Sequence, residues 1–317
     1  GNHLVVGARW DDDEDGENQG SVYCYTLTLT DGATSWNFTQ KIVAPDAEAY
    51  DSFGFSVAID GNHLVVGAPF DDDDDDGDRG ATNSGSVYVF ILTDGGAWDY
   101  ARKLVASDAA AQAQFGYSVA ISSANHHVVV GAPQDDDDLG AAYVFRTSDD
   151  SWAQILKLVP PDDDLVPVPD EDYYDYGYYY YYYYSPPSTT FFGSSVAIDD
   201  GNDTIVVGAY ADDDAAPGAG AAYVFVSSSE EGNWTLAQKI VAPDAAAFDA
   251  FGTSVVVSGD TLVVGAIGDD DAGSSSGSAY VYRHTNGTTW DYFYKLVASD
   301  ATASDVFGSS VALASGN

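Results

Sequence analysis

Runs of aspartate are the residues of this sequence whose type and spacing most directly suggest chemistry. Each run starts three residues after a Gly-Ala pair, at Asp11, Asp71, Asp135, Asp212 and Asp269. Carboxylates on loops suit hard cations, since calcium takes roughly 6 to 8 oxygen ligands in irregular geometry. We therefore predict Ca²⁺ as a cofactor; solvated, solubilising loops are the alternative. The candidate metal ligands are Asp11, Asp13, Asp15, Asp71, Asp73, Asp75, Asp135, Asp137, Asp212, Asp214, Asp269 and Asp271.

The overall charge restricts the class of partner. The chain has 51 Asp and Glu residues against 10 Lys and Arg residues, a formal net charge of −41. Such a field repels polyanions, so we expect neither nucleic acid nor an anionic membrane as a partner. No apolar run approaches the roughly 18 residues that would span a bilayer, so we expect no direct membrane insertion.

A tract of tyrosines interrupts the sequence between residues 160 and 187. Tyrosine combines an apolar ring with a polar tip, which favours contacts with sugars or with another subunit. The predicted partner-contact residues are Tyr178, Tyr180, Tyr182 and Tyr184.

Four Asn-X-Ser/Thr triplets indicate N-glycosylation, and hence a secreted protein of a eukaryote. We place all four on connections between strands, on one face of the molecule. The predicted acceptors are Asn37, Asn202, Asn233 and Asn286.

Catalysis finds little support in the sequence. It contains no Gly-X-Ser-X-Gly elbow, paired-histidine zinc motif or phosphate loop. His3, His63 and His127 share one repeat position, and the carboxylates belong to repeats instead of forming a singular pair. We therefore expect no enzyme, and a polysaccharide-acting enzyme with two catalytic carboxylates is the less favoured alternative.

The elements that must position these residues are repeats. A Phe-Gly pair recurs at residues 53, 115, 192, 251 and 307, with spacings of 62, 77, 59 and 56 residues. A period of this size indicates one supersecondary unit per repeat. Within the second repeat, residues 53–59, 63–68, 86–92 and 98–105 have the alternation and composition of strands. Four antiparallel strands per repeat predict an all-β fold, a β-propeller built of four-stranded blades.

The repeats resemble the FG-GAP repeats of integrin α-subunit heads and of microbial and algal surface proteins. Phe53-Gly54 with Gly67-Ala68-Pro69 carries the full signature, and Phe115-Gly116 with Gly131-Ala132-Pro133 repeats it. The resemblance implies an extracellular propeller, usually of seven blades, that serves adhesion or assembly and often binds calcium. The integrin-type calcium loop lies between the first and second strands. Because that connection is short here, the family's calcium ligands cannot be transferred to this chain.

We predict one domain over residues 1–317 with five repeats: about 1–52 completed by 307–317, then 53–114, 115–191 with the insertion 160–187, 192–250 and 251–306. In the favoured interpretation, the strand at 307–313 pairs with the strand at 3–8 and closes a ring of five blades. A fragment of a seven-bladed ring is one alternative. In another, the terminal strand completes a neighbouring subunit's blade and propagates a filament.

Geometry of the blade predicts that the acidic connections share one face, because the loop between strands two and three and the loop between blades emerge together. We therefore expect a secreted or cell-surface adhesion or assembly module that binds protein or glycan partners through its acidic loop face. The alternative is a structural subunit of an extracellular filament or sheath, with contacts to identical subunits through the tyrosine insertion or the terminal strand.

Overall fold

The structure, a computed structural model, describes residues 2–12, 17–30, 33–72, 82–122, 126–148, 151–161, 189–199, 201, 203–227, 233–285 and 289–314. In this part of the chain the strands are β1 His3–Ala8, β2 Ser21–Thr30, β3 Ala33–Ile42, β4 Ser56–Asp60, β5 His63–Ala68, β6 Ser86–Leu92, β7 Trp98–Leu104, β8 Ser118–Ser122, β9 His127–Ala132, β10 Ala141–Ser148, β11 Ser151–Leu158, β12 Phe192–Asp199, β13 Thr204–Ala209, β14 Ala221–Ser227, β15 Trp234–Ile240, β16 Phe251–Ser258, β17 Thr261–Ala266, β18 Ser278–Thr285 and β19 Thr289–Leu296. A single turn, α1, spans Asp135–Asp138.

These strands form five antiparallel sheets, and each sheet follows chain order. The first sheet is β1-β2-β3, and the other four contain β4 to β7, β8 to β11, β12 to β15 and β16 to β19. In each four-stranded sheet, the pairing of the third strand with the fourth contains one register shift, such as the one between Val89 and Phe90. The prediction of an all-β propeller of five blades is confirmed.

The core lies between the blades. Four apolar clusters each combine residues of two neighbouring sheets, as where Val22 and Cys24 pack with Leu64 and Trp98. The second strands are almost uniformly apolar because both of their faces are covered. Cys24 packs here as a small buried side chain, and burial raises the pKa of its thiol to about 11.

The Phe-Gly and Gly-Ala pairs form the joints between blades. Phe53 pairs with Gly20 of the preceding blade in an isolated parallel bridge, and its ring meets that of Tyr88 edge-on at 5.4 Å. A Cβ placed on Gly67 would lie 2.0 Å from the carbonyl oxygen of Gly116 in the next blade. These glycines therefore mark close approach between the backbones of neighbouring blades.

Ring closure through a terminal strand is not confirmed in the described residues. β1 pairs with β2, and residues 307–314 are assigned to no strand. Phe307 bridges to Gly277 in the same way as the earlier Phe-Gly pairs bridge to their preceding blades. Within the described part of the chain, no helix is long and apolar enough to cross a membrane.

Candidate functional site: the acidic face and its carboxylate clusters

The acidic loops of neighbouring blades come together at one end of the strands. In the first two blades, the Tyr50 N–H of the interblade connection donates to the Glu17 carbonyl of the β1–β2 loop at 2.9 Å. Between the last blades, the Phe248 N–H donates to the Pro217 carbonyl at 2.8 Å. The connections between blades and the acidic loops within blades therefore share one face, which we call the acidic face. This agrees with the prediction from blade geometry.

The first aspartate of each run after the first one is buried. Asp71, Asp135, Asp212 and Asp269 are at most 6% exposed. A tyrosine hydroxyl from the third strand of the same blade donates to each of them. The pairs are Tyr88 to Asp71 at 2.5 Å, Tyr143 to Asp135, Tyr223 to Asp212 at 2.5 Å and Tyr280 to Asp269 at 2.7 Å, with Tyr23 to Asp11 at 2.9 Å in the first blade.

A lysine from the fourth strand of the same sheet, or from the third strand in the first sheet, contacts each of these aspartates. The Nζ to carboxylate distances are 3.0 Å for Lys41 and Asp11, 3.1 Å for Lys103 and Asp71, 2.9 Å for Lys157 and Asp135, 2.9 Å for Lys239 and Asp212, and 2.7 Å for Lys295 and Asp269. A charge buried in this way requires an opposite charge and hydrogen bonds to be tolerated. The lysine and the tyrosine supply both.

A second carboxylate comes from the connection that leads into the blade. Asp46 lies 3.0 Å from Lys103 and accepts a hydrogen bond from the Tyr88 hydroxyl at 2.8 Å. Asp108 and Asp244 make the same contacts with their lysine and tyrosine. Burial alone would raise the pKa of these three carboxyls, but the lysine and tyrosine bonds outweigh it and lower the pKa. We call the lysine, the tyrosine and their carboxylates a carboxylate cluster. Each such cluster links a blade to the connection before it.

Burial and bonding balance differently at other carboxyls. Burial raises the pKa of Asp71, despite its bonds to Tyr88 and Lys103. At Asp269 the bonds from Lys295 and Tyr280 outweigh burial and lower the pKa. Burial raises the pKa of Asp51 to about 7, with a further contribution from the charge of Asp71.

One cluster satisfies the spacing of a metal site. Asp244, Asp269 and Asp271 each offer an oxygen atom, and these atoms lie within 4.8 Å of one another. In coarse form this agrees with the predicted cation site. The Lys295 ammonium, however, lies 2.9, 2.7 and 2.5 Å from oxygens of these same three residues. While Lys295 holds this position, the three carboxylates do not fit a calcium ion.

A family model described as "FG-GAP repeat" matches residues 36–90, 98–145, 188–225, 234–282 and 290–317. The chain belongs to the FG-GAP repeat family. FG-GAP repeats are typical of extracellular proteins and form propeller domains often used in adhesion or protein binding. None of the curated proteins compared with the chain matches it. Among solved structures, a protein of Bacteroides fragilis assigned as a 6-phosphogluconolactonase is 9% identical, with a TM-score of 0.45 over 95% of this chain and 83% of that one.

In four of the five runs, the second aspartate accepts a backbone hydrogen bond from its own FG-GAP loop. The Asp12 carboxylate accepts a hydrogen bond from the Asn18 N–H at 2.7 Å, and Asp72 accepts one from the Asn83 N–H at 2.6 Å. Asp213 and Asp270 do the same within their own loops. The third aspartates Asp214 and Asp271 return to the lysine, at 2.5 Å in both cases. In these four runs, the described aspartates thus have structural partners inside the protein.

Several predicted site residues of this FG-GAP chain lie outside the described residues: Asp13, Asp15, Asp73, Asp75, Asn202, Asn286, Tyr178, Tyr180, Tyr182 and Tyr184. Asn233 lies on a connection, immediately before β15, as predicted. Asn37 instead lies within β3, where its amide donates to the Thr28 hydroxyl at 2.5 Å. The prediction of a connection at Asn37 is wrong, because β3 pairs with β2 almost to the turn of the hairpin. Glycosylation itself stays a prediction.

The lysines are the functional residues that the sequence interpretation overlooked. All five lysines of the chain precede a Leu-Val or Ile-Val pair at the same position of their FG-GAP repeats. In a chain with a net charge of −41, lysines are few, and their recurrence at one repeat position was the sequence signal that they pair with the aspartates.

Proposed function

We propose that the chain is an extracellular, non-catalytic binding module that takes protein or glycan partners on its acidic face. The observation that carries this proposal is the convergence of the acidic connections on one face, where residues such as Asp137 and Asp300 are exposed. The use of FG-GAP propellers in adhesion supports the same assignment. Four buried aspartates of this face, Asp71, Asp135, Asp212 and Asp269, are each held by a lysine and a tyrosine, which supports the non-catalytic part of the proposal.

The proposal includes calcium binding, by aspartates that make none of the lysine contacts described above. Asp137 and Asp138 are adjacent in α1, and burial together with the charge of Asp137 raises the pKa of Asp138. A cation near such carboxylates relieves their repulsion. We expect a chelator to lower the melting temperature of the chain, and an unchanged transition in excess EDTA would refute the calcium part alone.

Partner binding is tested with protein and glycan arrays in calcium-containing buffer. The test variant is Asp137→Asn with Asp300→Asn on the acidic face. The matched control is Asp94→Asn with Asp99→Asn, which removes the same charge near the β6–β7 connection at the opposite end of the strands. We expect the array signal to fall in the test variant only. An equal change in both variants, or no signal with the unsubstituted chain, would contradict the proposal.

A second candidate function, a subunit of an extracellular assembly, is favoured by exposed apolar residues on the first and last sheets. Leu4 and Trp36 are 41% and 46% exposed, whereas their equivalents Leu64 and Trp98 are at most 3% exposed against the preceding blade. We call the surface of Leu4, Val6 and Trp36 the first-sheet face. It has the side chains that a blade uses to contact the blade before it.

The last sheet exposes the complementary surface. Leu296 is 40% exposed, whereas its equivalent Leu104 is 3% exposed against the following blade. We call the surface of Tyr294 and Leu296 the last-sheet face. We propose that the first-sheet face of one copy contacts the last-sheet face of the next, because the internal interfaces pair equivalent residues in the same way. A head-to-tail contact of this kind propagates unless the rotation closes a ring.

A further inference from the structure

Each carboxylate cluster already contains a cation that the protein itself supplies. In the last blade the Lys295 ammonium contacts one oxygen each of Asp244, Asp269 and Asp271. In the third blade Lys157 contacts Asp108, Asp135 and Asp136 at 2.8, 2.9 and 3.0 Å. An ammonium group has three hydrogens to donate, so three carboxylates match its capacity.

The position of the lysine is also the position a metal ion would take. Three oxygens from three residues converge on one point, as they would around a hard cation. The Tyr280 hydroxyl adds hydrogen bonds to Asp244 and Asp269 at 2.8 and 2.7 Å, and the lysine Nζ lies 5.1 Å from the centre of the tyrosine ring. Two cations cannot share so small a volume without strong repulsion.

The cluster joins parts of the chain that are distant in sequence. Asp244 belongs to the connection between the fourth and fifth blades, Asp269 follows β17, and Lys295 ends the fifth blade in β19. Loss of the Lys295 charge would leave the buried Asp269 carboxylate without a counter-charge, and this costs more than the ion pair itself contributes.

We infer that the lysine of each blade replaces a divalent ion, so that these joints between blades close without metal. The inference rests on the observed contacts and not on the proposed binding function. It places any calcium-dependent stability of the chain at aspartates outside the lysine clusters. It also predicts that a cluster binds no metal while its lysine is present, and that removal of the lysine creates a metal site.

The test is Lys295→Met in the full chain, with terbium ion as the probe. Tyr280 lies beside the cluster, so bound terbium would show tyrosine-sensitised emission. We expect a saturable emission component absent from the unsubstituted chain, and a lower melting temperature that calcium restores. Lys295→Arg keeps the charge and should show neither effect. Lys295→Met combined with Asp271→Asn removes a ligand and should weaken the new component.

A second measurement does not depend on the folding of Lys295→Met. Asp271 is exposed, and Asp271→Asn alone removes one oxygen ligand while Lys295 remains. If the lysine is the resident cation, terbium emission of the chain should be the same with Asp271 or Asn at this position. A loss of emission in Asp271→Asn, or no new component in folded Lys295→Met, would overturn the inference. A chelator experiment that refutes the calcium proposal leaves both readouts unaffected.

Discussion

Single aspartates in this chain differ in what their environment does to them. Asp51 is 5% exposed and accepts a hydrogen bond from the Glu48 N–H at 2.7 Å, yet burial raises its pKa to about 7. Asp305 holds the equivalent position before Phe307 and accepts the Thr302 N–H at 2.6 Å, but it is exposed. The same local turn therefore places one carboxyl in the interior and another in solvent.

Asp51→Asn should stabilise the chain at pH 8 and change little at pH 4. In the folded chain the Asp51 carboxyl keeps its proton up to about pH 7, whereas in the unfolded chain it loses the proton near pH 4. Unfolding therefore releases a proton between these values, and stability falls as the pH rises through them. The penalty above pH 7 is at most roughly 4 kcal/mol, at 1.36 kcal/mol per pKa unit.

Thermal unfolding at pH 4, 6 and 8 measures this effect. Asparagine keeps the acceptor for the Glu48 N–H, so the turn is preserved. Asp305→Asn is the matched control, and we expect no comparable gain from it at pH 8. A gain in melting temperature that is independent of pH would contradict the assignment of the raised pKa to Asp51.

At the scale of elements, the joints between blades depend on backbone contact. In Gly67 an added Cβ would meet the Gly116 carbonyl oxygen at 2.0 Å and the Ser56 hydroxyl at 2.4 Å. That hydroxyl also donates to the Gly116 carbonyl at 2.7 Å. The first and second strands of one blade thus hold the Phe-Gly turn of the next, and the nearest atom is a backbone carbonyl oxygen, which cannot rotate away as a side chain could.

Gly67→Ala should lower the free energy of unfolding by about 3 kcal/mol, because the blades must separate to admit the methyl group. Gly95→Ala is the control: it lies in the β6–β7 turn, where the nearest atom to an added Cβ is the Thr93 hydroxyl at 3.7 Å. We expect a change below about 0.5 kcal/mol there. Urea denaturation measures both, and equal effects would show that the joint tolerates a wider spacing.

At the scale of the whole molecule, the first-sheet and last-sheet faces decide whether the chain associates. Trp36→Asp places a charge on the first-sheet face and should shift the chain from a concentration-dependent oligomer to a monomer in sedimentation velocity. Tyr100→Asp is the control, since Tyr100 is 48% exposed on the second blade. A monomeric unsubstituted chain at high concentration would contradict assembly and would favour contact between the two faces within one chain.

The sequence by itself determined the blades. Strand alternation, the repeated Phe-Gly and Gly-Ala pairs and the position of the aspartate runs depend on local patterning, which reads the same in every repeat. From them follow four strands per blade and an acidic face. Asn37 shows the limit of local patterning, because the extent of β3 is decided by its pairing with β2.

Only the tertiary structure decided what the aspartates contact. Asp46 meets Lys103 across 57 residues of sequence, and Asp244 meets Lys295 across 51. Such pairs form because each connection packs against the blade that follows it. The recurring position of the lysines was visible in the sequence, but which carboxylates they contact was not. In the sequence, the aspartate runs suggest ligands for an external cation. In the folded chain, packing places a lysine among them. Packing also decides which equivalent residues are buried. Asp51 and Leu64 are buried whereas Asp305 and Leu4 are exposed, because burial depends on what covers a position and not on its place in the repeat.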